Sequence, residues 1–260
     1  MKRFIFAHFI ALFVFFPQLL SAQTSFGWGS IDVRYSRSEV PTITKKSPLL
    51  RAWRGERVSA QAVLVSSTDL KSVSISVSDL KSGKNVIPAS AIKKYFVQFV
   101  LSEISFTNKD TMLYADRLDP AEAMKVDANT TCPIWLDIRV PADAKPGTYQ
   151  GTVTMNCDGK KLSLPLQLQV ADKVLPEPSK WAFHLDLWQN PYAVARYFDV
   201  PLWSQQHFDK MRPTMELLAS AGQKIITCSV ISRPWNGQTC DPFESMIAKM
   251  KQIDGTWKYD

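Results

Sequence analysis

Apolar residues recur at every second position in a series of short runs between residues 58 and 170, and this period of two constrains the fold more than any other feature. Val58, Ala60, Ala62 and Leu64 share one side of their run, while Val73, Ile75 and Val77 alternate with Ser74, Ser76 and Ser78. Side chains on a strand alternate between its faces, so each run offers one face to a core and one to solvent. Residues 95–100, 134–140, 149–155 and 162–170 continue the series, with Ser82-Gly83 and Pro146-Gly147 as turn signals. Half-buried strands of this kind stack sheet on sheet, which predicts an immunoglobulin-like β-sandwich over residues 24–175. Its first strand is expected at 30–35, after a flexible start at 23–29.

Two parts of this region carry further expectations. Residues 102–131 show no clear period and include Tyr114, Asp116, Arg117 and Asp119. A stretch of that length is either a functional loop reaching a neighbouring domain or a surface loop packed on its own. Residues 134–140 and 149–155 flank PADAKPGT and read as a hairpin. A symmetric register pairs Val140 with Tyr149, Leu136 with Val153 and Ile134 with Met155, and it sets Cys132 opposite Cys157. These two are therefore a candidate disulfide, with two free thiols as the alternative because bridging geometry is restrictive.

The N-terminus begins with Lys2 and Arg3, runs apolar from Phe4 to Leu20, and ends on Ser21 and Ala22. This predicts a cleaved signal peptide at residues 1–22 and a periplasmic or secreted protein. A membrane anchor is the competing reading, but His8 and Pro17 interrupt the run and no basic stop-transfer cluster follows, so no stable membrane anchor is expected after cleavage. Cleavage leaves 29 basic against 24 acidic residues. The small excess is spread along the chain without a basic block, which argues against nucleic acid as a partner. A hydrophobic share of 45% with 21% charged residues is that of a globular protein, so disorder is not the default expectation.

The period changes after VLPEPSK, residues 174–180, where two prolines mark a domain boundary. WAFHLDLWQN, residues 181–190, alternates as a strand, with His184, Asp186 and Trp188 on one face and Phe183, Leu185 and Leu187 on the other. The polar face either carries chemistry or simply meets solvent. Ser204 is suited to cap a helix at 205–211, Pro213 to start a second one through Ala219, and Gly222 to end it. A buried strand is expected at 224–230 and a helix near 242–252. Strand, helix, strand, helix is the opening of a (β/α)8 barrel, yet residues 181–260 fall far short of the roughly 200 or more that a complete one needs. The expectation is an incomplete (β/α)8 TIM barrel or a small α/β lobe.

HLDLWQNPYAVARYF, LLASAGQK, RPWNGQTCDPFESMI and DGTWKYD resemble, in this order, the start of the catalytic barrel in bacterial glycoside hydrolases of the family 123 type. WLDIRVPADAKPGTYQGTVTM and the LPEP linker are similar to that family's N-terminal domain. The resemblance implies an exported enzyme that removes β-linked N-acetylgalactosamine from glycans without metal or organic cofactor. It also implies substrate-assisted catalysis: the acetamido oxygen is the nucleophile, an aspartate orients it, and the adjacent glutamate protonates the leaving oxygen. That pair is an Asp-Glu dipeptide, and none occurs in these 260 residues. No catalytic residue is therefore assigned, and the chain alone is expected to be inactive.

The resemblance does suggest substrate-binding candidates: His184, Asp186 and Trp188 after the first barrel strand, and Arg233, Trp235 and Gln238 after the second. Asp186 and Gln238 suit sugar hydroxyls, and Trp188 or Trp235 a stacking face. Each has a plainer role open to it, as core tryptophan, hydrogen-bonded structural histidine or solvated arginine. A metal site is not expected, since the cysteines lack zinc-type spacing. A different class of function also stays open: a non-catalytic carbohydrate-binding or adhesion sandwich with an accessory lobe.

Overall fold

The period-two runs do form strands in the computed structural model, which describes residues 24–105, 107–227 and 250–259. Contacts divide the chain into two compact units, parting between Leu175 and Pro176. The first contains β1 (Thr24–Gly29), β2 (Leu49–Arg54), β3 (Arg57–Ser66), β4 (Leu70–Val77), β5 (Leu80–Ser82) and β6 (Asn85–Ile87). It continues with β7 (Ile92–Glu103), β8 (Thr111–Asp119), β9 (Ala123–Val126), β10 (Thr130–Arg139), β11 (Gly147–Cys157) and β12 (Lys160–Val174). One sheet has the order β1-β3-β10-β7-β8, the other β2-β12-β11-β4-β9, with the short β5 and β6 beside β11.

The two sheets share one core. Phe26, Trp28, Leu64, Phe96, Ile134 and Leu136 of the first sheet cluster with Ile75, Tyr149, Val153, Met155, Leu164 and Leu168 of the second. Burying a side chain of this size stabilises by about 1.5–3 kcal/mol. The polar tips of the buried aromatics are satisfied: Trp28 Nε1 donates to the Pro165 carbonyl at 3.0 Å, joining the sheets, and Tyr149 Oη donates to the Lys145 carbonyl at 2.8 Å.

Several local expectations are corrected. The first strand is β1, whereas residues 30–35 form a turn and irregular backbone. The start expected to be flexible is instead held by close approach at its glycines: a Cβ on Gly27 would lie 2.8 Å from the Ile43 side chain, and one on Gly29 would run into Tyr35 Oη. The polar segment after β1 folds over the outer face of the first sheet, where Gln61 Nε2 donates to the carbonyls of Ser30 and Val33.

Residues 134–140 and 149–155 are not a hairpin. β10 pairs with β3 and β7, while β11 pairs with β12 and β4 in the opposite sheet. PADAKPGT therefore crosses between sheets, and Cys132 and Cys157 enter the core from opposite sides as free, buried thiols. Burial, and then the neighbouring Cys157 thiolate, push Cys132 up to about 12. Burial, and then Asp158, push Cys157 up to about 11, against a smaller opposing pull from Lys160.

Residues 102–131 are also more regular than expected. β7 and β8 form a long antiparallel pair, from Phe96 opposite Asp119 to Glu103 opposite Thr111, and β9 adds to the edge of β4. Leu101, Met112, Leu113 and Leu118 are exposed, so this pair extends past the core and alternation there has no buried face to serve. β2 was not expected at all, and it pairs in parallel with β12.

The second unit contains a short 3-10 turn (Pro178–Lys180), α1 (Pro191–Phe198), α2 (Gln205–Ser220), β13 (Met250–Ile253) and β14 (Thr256–Tyr259). Residues 181–190 do not form a strand. Among the described residues their one ladder contact is a parallel bridge from Leu185 to Gln223, and Phe183 and Leu187 on the apolar side are exposed. Among the described residues this segment has no strand partner along its length, so the alternation there is not supported by a ladder of hydrogen bonds.

The two helical runs expected around Pro213 are one continuous helix, α2, with Pro213 in its interior. The strand expected at 224–230 is absent over 224–227, and 228–230 lie outside the described residues. So does most of the expected 242–252 helix, whose last three positions belong to β13. β13 and β14 form a hairpin around Asp254 and Gly255, both at positive φ, which is the backbone that a two-residue turn of this composition favours.

Candidate functional site

α1 starts abruptly because two caps coincide. Asn190 Oδ1 accepts from the Ala193 N–H at 3.1 Å, and Pro191 occupies the first turn, where its missing N–H costs nothing. α2 is capped by Ser204, whose Oγ accepts from the His207 N–H at 3.2 Å. His207 is fully buried and pins the two helix starts together: its Nδ1 accepts from the Trp203 N–H at 3.0 Å, which leaves Nε2–H to donate to the Pro191 carbonyl at 2.9 Å. That histidine is structural, and it was not among the expected site residues.

These caps end the segment carrying His184, Asp186 and Trp188, all three exposed. Asp186 Oδ1 accepts from Thr227 Oγ1 at 2.6 Å and Asp186 Oδ2 from Trp188 Nε1 at 3.3 Å. Asp186 and Trp188 thus form one unit with Thr227, and no hydrogen bond joins His184 to it. Gln223 ties the same segment from below, donating from Nε2 to the carbonyls of Leu187 at 3.2 Å and Ile225 at 2.7 Å. Gln223 Oε1 is buried with no hydrogen-bond partner among the described residues. Lys224 Nζ donates to the Trp181 carbonyl, a second tie between the two stretches.

Chemically this is a small polar surface with an aromatic edge. The carboxylate is oriented by two donors, and the exposed Trp188 ring offers a flat apolar face beside it, a combination suited to a polyol. A cavity of about 210 Å³ lies nearby, lined by Asn190, Val194, Trp203, Phe208, Met211 and Ile226 among others, but neither Asp186 nor Trp188 lines it. Its walls are mostly apolar, a poor match for a sugar. Among the described residues, no group of three or more His, Cys, Asp or Glu side chains is placed to hold a metal ion. Nor is any described helix long and apolar enough to cross a membrane.

Thr227 and Gln223 are the site residues that sequence reasoning missed. Thr227 lies in the middle of KIITCSV, and a hydroxyl directly after the apolar pair Ile225-Ile226 was the available signal. Arg233, Trp235 and Gln238 lie outside the described residues.

Two family models match in succession: the glycoside hydrolase 123 N-terminal domain over residues 28–157 and the glycoside hydrolase 123 catalytic domain over residues 188–260. The chain belongs to glycoside hydrolase family 123. A family 123 glycoside hydrolase from Clostridium perfringens, solved in a study of glycolipid glycan hydrolysis, has the same fold over 91% of this chain, with a TM-score of 0.81 and 23% identity. The present chain covers 43% of that enzyme's chain. A catalyst of macrocyclisation in alchivemycin A biosynthesis aligns with a TM-score of 0.30 at 6% identity, over 60% of this chain and 92% of its own. The extracellular domain of a voltage-gated sodium channel β4 subunit gives a TM-score of 0.28 at 12% identity, over 52% of this chain and all of its own. Neither bears on the site. Comparison with curated proteins yields no match.

The family match falls on both units, and the catalytic-domain match begins at Trp188, inside the Asp186–Trp188–Thr227 unit.

Proposed function

We propose that these residues form the N-terminal portion of an exported glycoside hydrolase acting on β-linked N-acetylgalactosamine-type glycans. The observation that carries the reading is the succession of the family's N-terminal and catalytic domains along one chain. In the proposed reaction the substrate's acetamido oxygen attacks C1 as the glycosidic bond breaks, and the departing oxygen takes its proton from a carboxylic acid. Water then opens the cyclic intermediate. The Asp-Glu pair that would orient the acetamido group and supply the proton is not among these residues.

In this reading the second unit opens a (β/α)8 barrel. The parallel bridge between Leu185 and Gln223 supports it, because neighbouring barrel strands run parallel. Asp186 and Trp188 then face the sugar, Asp186 binding a hydroxyl and Trp188 packing on the ring. His184, Arg233, Trp235 and Gln238 complete the proposed wall. Residues 1–22 serve as the cleaved export signal, delivering the protein to the periplasm or the medium. The glycan of a glycolipid is a proposed substrate by likeness to the Clostridium perfringens enzyme.

The reading is tested by expressing the chain with the in-frame sequence that follows Asp260. Release of N-acetylgalactosamine with retained anomeric configuration is expected, with kcat/KM at least tenfold lower for Asp186→Asn. Release of another sugar, or inversion at C1, contradicts it.

A further inference from the structure

The sandwich carries a groove of its own on the outer face of the β1-β3-β10-β7-β8 sheet. It has a volume of about 250 Å³, and its lining includes Arg34, Gln61, Val97, Asp116, Leu118 and Trp135. Gln61 and Trp135 stand opposite one another on β3 and β10, and Val97 and Leu118 on β7 and β8, so the floor spans four neighbouring strands. Arg34 overhangs from the segment after β1.

The far wall is built by a bulge. Gln98 pairs with Arg117 and Phe99 with Ala115, which leaves Asp116 as the extra residue of β8. On a regular strand Ala115 and Asp116 would face opposite sides; here both line the groove. A bulge breaks the ladder, and what it yields at this position is a carboxylate turned into the groove.

The polar groups there are uncommitted. Asp116, Arg34 and the indole N–H of Trp135 make no hydrogen bond or ion pair among the described residues, although Asp119, three positions on, is engaged by both Gln98 and Arg117. Gln61 is 4% exposed, and its amide N–H₂ is fixed by two carbonyls, which orients the remaining oxygen. A half-buried tryptophan, one carboxylate, one guanidinium and a held amide oxygen around one groove match a ligand that is flat, apolar on one side and rimmed with groups that both donate and accept. A pyranose is such a ligand: its C–H face packs on an indole, and its hydroxyls donate to Asp116 and accept from Arg34. The opposite charges of Arg34 and Asp116 disfavour a polyanion.

We propose that this groove is a glycan-binding cleft that takes a ring of a neutral sugar chain against Trp135, between Arg34 and Asp116. The cleft does not depend on hydrolysis by the second unit, so its test reads binding alone.

The test measures binding of the whole 260-residue chain to polyacrylamide displaying N-acetylgalactosamine, galactose, glucose or mannose, with heparin as the charged probe. At least one neutral probe is expected to bind. Trp135→Ala and Asp116→Asn should each weaken it at least tenfold, whereas Trp135→Phe should stay within about threefold and Trp53→Ala, on the other sheet, should match the unsubstituted chain. If Trp135→Ala loses its circular dichroism signal, the exposed Asp116→Asn carries the decision. Absence of binding to every neutral probe, preference for heparin, or unchanged binding by Asp116→Asn overturns the proposal.

Discussion

The Thr227 hydroxyl donates to Asp186 Oδ1 across 2.6 Å, linking two stretches 41 residues apart in sequence. Together with the Leu185 to Gln223 bridge, it holds the first segment of the second unit beside the backbone that follows α2. Thr227→Val removes the donor and keeps the side-chain shape. It is expected to destabilise the local structure by about 1 kcal/mol. Hydrogen exchange over residues 181–190 should speed up severalfold, with the sandwich unaffected.

Pro213 lies inside α2, where it withholds a backbone donor from the turn before it. Pro213→Ala restores that N–H and is expected to stabilise the helix by about 1–3 kcal/mol. Slower limited proteolysis within residues 205–220 would show it, whereas faster cleavage would mean that the proline's bend is needed for packing.

Gly29 is a position where space, not backbone freedom, is the constraint. A Cβ would run into Tyr35 Oη, and that hydroxyl accepts from the Ser30 N–H at 2.7 Å. Gly29→Ala must displace the tyrosine and break this bond, so a loss of about 1–3 kcal/mol is expected in denaturant unfolding. Combining it with Tyr35→Ala should cost less than the two single changes added together.

How much of this was open to sequence reading differs by region. Ala60, Ala62 and Leu64 are buried as their alternation implied, as are Val153 and Met155. Which sheet each strand joins was not legible, because a period of two fixes a strand's buried face and says nothing of its partners. Val140 opposite Tyr149 and Leu136 opposite Val153 gave a plausible hairpin for that reason, yet β10 and β11 belong to different sheets. The β7–β8 extension escaped notice because its ends bury neither face, and Asp116 because a bulge leaves no periodic mark. In the second unit the polar face with Asp186 and Trp188 was visible, but its strand was not formed, since alternation does not provide the partner a strand requires.

Cys132 and Cys157 face one core from opposite sheets, and that position governs their chemistry. Cys132 is raised from an ordinary value of 9.0 to about 12. Below pH about 9 the thiol is protonated in both folded and unfolded chains, and stability is independent of pH through this group. Between about 9 and 12 only the unfolded thiol ionises, so stability falls as pH rises, by on the order of 4 kcal/mol in full. Denaturant midpoints at rising alkaline pH should drop less steeply for Cys132→Ala than for the unsubstituted chain. Alkylation of both thiols should be slow in the native protein and complete on unfolding without reductant; a peptide retaining an unreduced Cys132–Cys157 bridge would contradict the free-thiol state.

The central proposal is that this family 123 chain carries a sandwich and residues that would face a sugar, while the Asp-Glu pair proposed to break the bond is not among its 260 residues. It is tested most directly by incubating the purified 260-residue chain with an aryl N-acetyl-β-D-galactosaminide. The account predicts no aryl alcohol release above the blank. Release that is abolished by Asp186→Asn, or by replacing another of the chain's own carboxylates, would contradict it.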